Sequence, residues 1–395
     1  MSQTSKPQRS VKATYMRGGT SKGTFFNTAD LPQDLTSDPA KLDEFLLRLI
    51  GSPDPYGKHT DGMGGATSST SKAVFVGAST IEGFDVDYRF AQVAIDKPKI
   101  DWSGNCGNLS AAVGAFAIHE GLVNSERMTL DSAGDGFCEV RVWQVNIQKQ
   151  ILIKVPMSGG EVQETGDFVL DGVAFPAARI EVSFVDPVGD AAMYPTGNLI
   201  DELAIESLEA PLQATLINAG IPTVFVRASD LGFSGTELQG EINSNSERLS
   251  LLEDIRLTGA VAMGLAADKL AASSSAHTPK VAFVSEPKAF TASSGAQVQA
   301  SQIHLNVRAM SMGQLHHAMM GTAAVAIAAA AATPGTLLSE VSTASDPAQV
   351  TFGHPSGTLD VSAQVSEDHG DFKADLVGMA RSARRLMVGE VFVPL

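Results

Sequence analysis

The chain has 395 residues, of which 44% are hydrophobic and 18% charged, and carries a formal net charge of −16 at pH 7. A length of this order predicts two domains with substantial apolar cores. The acidic balance argues against nucleic-acid binding, which needs a basic face to neutralise phosphates. Two cysteines, Cys106 and Cys138, are too few for a disulfide framework. The longest apolar run, Ala323–Ala332, is about half the length that a membrane span requires. The polar start Met1–Lys12 leads into no apolar stretch of the signal-peptide kind. Cytoplasmic residence, with no membrane and no nucleic-acid partner, is the expectation.

In chain order, strand-like runs occur at Ala73–Gly77, Val86–Ala94, Cys138–Val145, Ile151–Val155, Ala214–Val226, Val281–Val284 and Gln302–Ala309. Many alternate apolar with polar residues, the pattern of antiparallel strands buried on one face. Two stretches, Asn108–Glu120 and Thr322–Ala332, are instead Ala-rich and free of proline, and read as deeply buried helices inside curved sheets. Each helix follows a glycine turn, Cys106-Gly107-Asn108 or Met320-Gly321-Thr322. Each also has an upstream glycine segment that opens a strand, Arg17–Gly23 or Asn218–Pro222. From Gly18 to Cys106 is 88 residues, and from Gly220 to Met320 is 100. Such a degenerate duplication predicts two similar domains with a boundary near Asp186–Asn198. The last strand, Glu390–Leu395, is expected to return to the first domain.

Four clusters carry candidate chemistry. In Ser103-Gly104-Asn105-Cys106-Gly107-Asn108, a thiol at a helix start meets the positive end of the dipole and free N–H groups, which together make an anion site. The plain alternative is a small buried hydrophobe with Asn108 as a cap. The loop Gly62–Ser71 is rich in hydroxyls and backbone donors that suit carboxylate oxygens, and Lys72 leads from it into an apolar strand. Burial disfavours the charged form of an amine and makes it a usable base. The alternative is a solvated loop with a surface lysine. Arg17 and Lys22 bracket Gly18-Gly19-Thr20-Ser21; Lys22 reads equally as a snorkelling surface residue. In Ser311–Met320, the adjacent His316 and His317 point about 100° apart on a helix and are poorly placed to share a metal. No metal and no cofactor are expected. Lys280 and the turn Gly353–Gly357 are weaker leads, each with an ordinary strand-end or turn reading.

No nucleotide fingerprint is present, and the glycine spacing before Lys72 is not that of a phosphate loop. Gly19-Thr20-Ser21-Lys22-Gly23 fits the nucleophile-elbow pattern, but it leads into a strand and not a helix. Proton transfer by side chains is the chemistry that remains.

A duplicated domain whose buried helix opens on a glycine-flanked thiol resembles the diaminopimelate epimerase fold. That resemblance implies an α+β protein of two similar domains, each a curved, mostly antiparallel sheet around a central helix, with the active site between them. The expected division is residues 1–187, joined by 388–395, and 188–387. Two-thiol epimerases use one thiol from each half. Here the second position is Met320, whose thioether carries no proton, so the symmetric epimerase reaction is not expected. Within that superfamily the chain resembles the PrpF family of 2-methylaconitate cis–trans isomerases. The likeness rests on Tyr15–Gly23, Gly51–Tyr56, Asp61–Lys72, Asp101–Ala117, Gln163–Phe168, Asn218–Thr223, Leu315–Ile327 and Gly353–Leu359.

By this resemblance Lys72 is the proton-transferring lysine and Cys106 the first thiol. Arg17, Gly18, Gly19, Thr20, Ser21, Lys22, Gly65, Ala66, Thr67, Ser68, Ser69, Lys280, Ser311 and His316 fall at positions resembling substrate contacts. Asn105 and the helix starts Gly107-Asn108 and Met320-Gly321-Thr322 would face the developing enolate. The implied reaction turns 2-methyl-trans-aconitate into its cis isomer without a cofactor, in propionate breakdown by the methylcitrate cycle. Related members act on trans-aconitate, 4-oxalomesaconate or 3-methylitaconate. A rival is a non-catalytic accessory to an aconitase-like iron–sulfur 2-methylcitrate dehydratase, a partner the family implies. Assembly into a homo-oligomer stays open.

Overall fold

The computed structural model describes residues 8–189 and 191–394. Met1–Pro7 of the polar start, Asp190 of the boundary segment and Leu395 of the last strand lie outside the described residues. The chain divides into two compact units. One comprises Met1–Phe168, Pro176–Val182 and Arg381–Leu395, and the other Val169–Phe175 and Ser183–Ala380.

In the first unit the strand Arg9–Gly18 turns back at Gly19-Thr20 into the antiparallel strand Ser21–Asn27. The latter pairs in parallel with Lys72–Ala78, which pairs antiparallel with Val86–Val93. Gly136–Gln144 and Lys149–Ser158 extend the sheet as a further antiparallel pair. The C-terminal strand Ala383–Val393 lies along Arg9–Gly18 over the whole length of that strand.

Both faces of this sheet are covered. Successive side chains on a strand point to opposite faces, and Phe25 and Phe26 show the consequence. Phe25 meets Phe116 of the helix Gly107–His119 at 5.5 Å, and Phe26 meets Phe45 of the helix Pro39–Ile50 at 5.8 Å. The second of these helices is amphipathic. Leu42, Phe45, Leu46, Leu49 and Ile50 are buried, at the helical repeat, and Asp38 caps its start by accepting from the N–H groups of Ala40 and Lys41. The first, central helix is built mostly of small and apolar residues, and every residue from Gly107 to Ala117 is buried. Its small side chains let the sheet close in. A Cβ on Gly18 would lie 2.7 Å from the Asn108 carbonyl oxygen and 2.9 Å from Leu109 Cα, so only glycine fits there.

The second unit repeats the plan. Ala214–Val226, which alternation alone reads as one run, is a hairpin of Leu212–Ala219 and Ile221–Arg227. The break is Gly220, whose φ is +69 and whose Cβ would lie 2.6 Å from Val325 Cβ. Ile221–Arg227 pairs in parallel with Lys280–Ser285, which pairs antiparallel with Leu305–Ser311. The start of the expected run Gln302–Ala309 is different: Ala300–Gln302 forms a 3-10 turn, and the strand begins only at Leu305. Gly321–Ala332 is the second central helix, buried from Gly321 to Ala331. The helix Ser246–Ala262, capped by Asn245, supplies Leu252 and Ile255 to the unit's apolar core. No helix of the described residues is long and apolar enough to cross a membrane.

Candidate active site

Alternation decides where Lys72 points. Ala73 and Phe75 belong to the core beneath the amphipathic helix Pro39–Ile50. Lys72, one residue out of step with them, therefore faces the central helix, and a one-residue slip would reverse this. Its side chain is buried, 7% exposed. The Nζ donates to Gln92 Oε1 at 2.9 Å and lies 3.4 Å from Cys106 Sγ and 5.0 Å from the Phe90 ring centroid. Gln92 is the register partner of Lys72 across the antiparallel pair, the position where side chains come closest.

Cys106 occupies the cap position of the central helix with extended backbone, and its side chain makes no capping bond. The first-turn N–H groups are thus left uncapped by it, as an anion site requires. The Cys106 carbonyl accepts from the Ser110 amide and hydroxyl and from the Tyr88 hydroxyl at 3.4 Å. Burial holds the Tyr88 phenol well above its ordinary value, with the nearby Cys106 adding to the effect. Tyr88 stays neutral. Asn105 is 3% exposed, and neither atom of its side-chain amide meets a hydrogen-bond partner among the described residues. A buried amide without partners costs stability, so this group points to a ligand.

The hairpin turn sits over the helix start. Asn108 Nδ2 donates to Thr20 Oγ1 at 3.1 Å, and Arg381 Nε donates to Asn108 Oδ1 at 3.1 Å. Arg17 and Lys22 are register partners, as are Gly18 and Ser21. Arg17 donates to the carbonyls of Gly19 and Ser382. Burial, with Arg384 nearby, lowers the Arg17 guanidinium to about 10, and complete burial does the same for Arg381. Lys22 lies 5.4 Å from the Tyr15 ring centroid. Its backbone N–H reaches the Ser69 carbonyl at 2.9 Å and so ties the hydroxyl loop to the hairpin. Within that loop Thr67 Oγ1 bonds Ser69 Oγ at 3.0 Å, and the Ala66 N–H donates to His59 Nδ1 at 3.2 Å. Ser69 is buried, whereas Gly65 and Thr67 are exposed and Ala66 and Ser68 half-buried. Lys72, Cys106 and the hairpin turn thus meet at the start of the central helix, and the loop of Gly65–Ser69 joins them through the Ser69 carbonyl.

In the second unit, Lys280 opens a strand parallel to the hairpin strand, as Lys72 does in the first. It is 3% exposed, and its Nζ lies 3.3 Å from His277 Nδ1. Ser311 ends the strand antiparallel to that of Lys280. Met320 takes the place that Cys106 has, at the cap of the central helix and without a side-chain capping bond, followed by buried Gly321 and Thr322. His316 accepts from the Ala318 N–H and stacks on His317 with ring centroids 4.6 Å apart. Desolvation holds His317 below its ordinary value.

Gln92, Tyr88, His59 and Arg381 are absent from the residues singled out in the sequence. Gln92 had a signal there. It is a polar residue inside the run Phe90-Ala91-Gln92-Val93, and a buried polar group is the informative exception in a core. Arg381 had none, being 273 residues from the Asn108 that it holds.

The family model described as "PrpF protein" matches residues 8–394. The chain is 54% identical to the 2-methyl-aconitate isomerase of Shewanella oneidensis and 53% identical to that of Cupriavidus necator, in each case over 98% of both chains. It is 36% identical to the 3-methylitaconate isomerase of Eubacterium barkeri, again over 98% of both. Among solved structures it resembles a methylitaconate-delta-isomerase, with a TM-score of 0.77, 35% identity and coverage of 98% of this chain and 96% of the other. A hydroxyproline epimerase from Agrobacterium vitis superposes with a TM-score of 0.54 at 11% identity, covering 97% and 93%. That likeness speaks for the fold alone, which is α+β and diaminopimelate epimerase-like.

Proposed function

The chain belongs to the PrpF protein family and is an isomerase, and we propose that it converts 2-methyl-trans-aconitate to 2-methyl-cis-aconitate. The observation that carries the substrate is the step in identity between relatives. It stands at 53–54% to two 2-methyl-aconitate isomerases against 36% to a 3-methylitaconate isomerase, at equal coverage.

The buried Lys72–Cys106 pair supports the chemistry. Rotation about a carbon–carbon double bond requires that bond to become single. In our reading the Lys72 amine takes an allylic proton from the substrate and becomes an ammonium. The electron pair left behind spreads through the conjugated system into a carboxylate, as an enolate. Rotation follows about the bond now single, and the ammonium returns its proton to carbon. Proton, charge and electrons balance over the cycle, and no co-reactant is consumed.

In our reading the backbone N–H groups at the start of the central helix, around Gly107 and Asn108, stabilise the enolate as preorganised donors aimed at developing charge. Asn105 offers an amide, and Arg17, Lys22 and the buried Arg381 supply the cations that an acidic chain needs locally for a tricarboxylate. Cys106 lines the anion site beside the base. The enzyme would then serve propionate breakdown in the cytoplasm, beside an aconitase-like 2-methylcitrate dehydratase.

Purified protein, with no dehydratase present, is expected to change the ultraviolet absorbance of 2-methyl-trans-aconitate faster than that of trans-aconitate, 3-methylitaconate or 4-oxalomesaconate. A preference for any of the other three overturns the substrate assignment, and no turnover of any of them favours the accessory role. Lys72→Ala is expected to lose more than about 100-fold in turnover with its fold intact; near-normal turnover removes Lys72 as the base.

A further inference from the structure

The amide of Gln92 is held in one orientation. Its Nε2 donates to the Ser71 carbonyl at 3.0 Å and lies 3.4 Å from the Val93 carbonyl. Both partners are acceptors, so this end of the amide must be the NH2 end. The oxygen is thereby fixed toward Lys72 Nζ, 2.9 Å away. The residue is 2% exposed, within an otherwise apolar segment of its strand, where a polar side chain has a cost unless its bonds are made. Ser71 is itself fixed: its hydroxyl lies 3.3 Å from His59 Nδ1, and its carbonyl also accepts from the Val93 N–H.

We propose that Gln92 is a positioning residue for the proton transfer, a neutral acceptor that aims the Lys72 amine without adding charge. This rests on the reading of Lys72 as the base. A carbonyl oxygen accepts one N–H from the amine whether the amine is neutral or charged. One N–H direction of the nitrogen is therefore retained through abstraction and return, which limits the reacting position to the directions that remain. A carboxylate in the same place would lock the amine as an ammonium, and an apolar side chain would leave it loose. Other groups face Lys72 as well. They are the Cys106 thiol, the Phe90 ring and, behind Cys106, the neutral Tyr88 phenol. Lys22, on the neighbouring strand, is directed to the Tyr15 ring, and His59 lies behind Ser71.

Two substitutions test this in the full-length enzyme, each checked for native near-ultraviolet circular dichroism. Gln92→Glu is expected to move the rising limb of the kcat–pH profile up by about one unit or more, because an opposite charge in contact favours the ammonium. Gln92→Met is expected to move that limb down, because the ammonium loses an acceptor, and to lower kcat about tenfold or more with KM changed less than about threefold. Opposite shifts support the proposal. Equal losses with the limb unmoved in both overturn it, since a merely structural glutamine predicts that result. If only one variant folds, its own limb decides in the same sense. If neither folds, the pH dependence of Lys72 acetylation by acetic anhydride in Gln92→Asn, read by mass spectrometry against wild type, decides on whether that titration moves. Lys72→Ala separates the two readings. If it is inactive while the limbs stay put, the Gln92 proposal alone fails; if it is active, the base assignment fails and takes the proposal with it.

Discussion

At the scale of single residues, the site is defined by groups whose bonding is unfinished or tightly constrained. Asn105 is buried with both amide atoms unpartnered among the described residues, an arrangement that costs stability in the free protein. Asn105→Ala is therefore expected to leave thermal stability unchanged or to raise it by about 1 kcal/mol, while KM rises about tenfold or more. A fall in melting temperature with KM unchanged overturns the ligand role. Lys72 and Cys106 were legible in the sequence, because a lysine entering an apolar strand and a thiol between glycines at a helix start are local patterns. Tyr88 and Arg381 were not, because their roles arise only from contacts made across the fold.

At the scale of elements, the central helices are specified by what they leave out. Gly107–His119 and Gly321–Ala332 are built largely of small residues, and the turns at Gly18-Gly19 and Gly220 come within van der Waals range of their first turns. Gly18→Ala is expected to lower stability by about 1–3 kcal/mol in urea unfolding, because the backbone it meets cannot yield like a flexible side chain. It should also slow turnover, since it pushes on the residue that binds Thr20. Asp38→Ala, at the start of the amphipathic helix, is expected to cost about 1 kcal/mol by the same measurement and to leave kcat alone. The amphipathic helix Pro39–Ile50 escaped the sequence reading, although Asp38-Pro39 is a helix-start signal and Leu42, Phe45, Leu46 and Leu49 keep the helical repeat. The run Ala214–Val226 was legible in part: Asn218–Pro222 reads as a glycine segment that opens a strand, and the left-handed backbone at Gly220 makes it the turn between two strands.

At the scale of the whole molecule, the last fifteen residues complete the first unit. Ala383–Val393 lines Arg9–Gly18, the Ser382 carbonyl accepts from the Gly19 N–H, and Arg381 holds Asn108. A chain ending at Ala380 is therefore expected to be inactive and to show rapid proteolysis within residues 8–168. Protection there equal to that of the full chain would show the strand to be dispensable. The net charge of −16 belongs to this scale as well. Arg17 and Lys22 sit in the hairpin beside the first central helix and Arg381 binds Asn108 at its start, a local gathering of cations in an acidic chain.

The sequence by itself determined the duplicated plan, the two buried helices, the thiol at one helix start and the methionine at the other. Those features are written in short-range patterns of glycine, alanine and alternation, which depend on local backbone geometry alone. The tertiary structure decided which acceptor faces the Lys72 amine, which cation holds Asn108 and which buried amide meets no partner among the described residues. Each of these depends on strand register, on the closure of the C-terminal strand and on burial, and burial is what makes a polar contact matter.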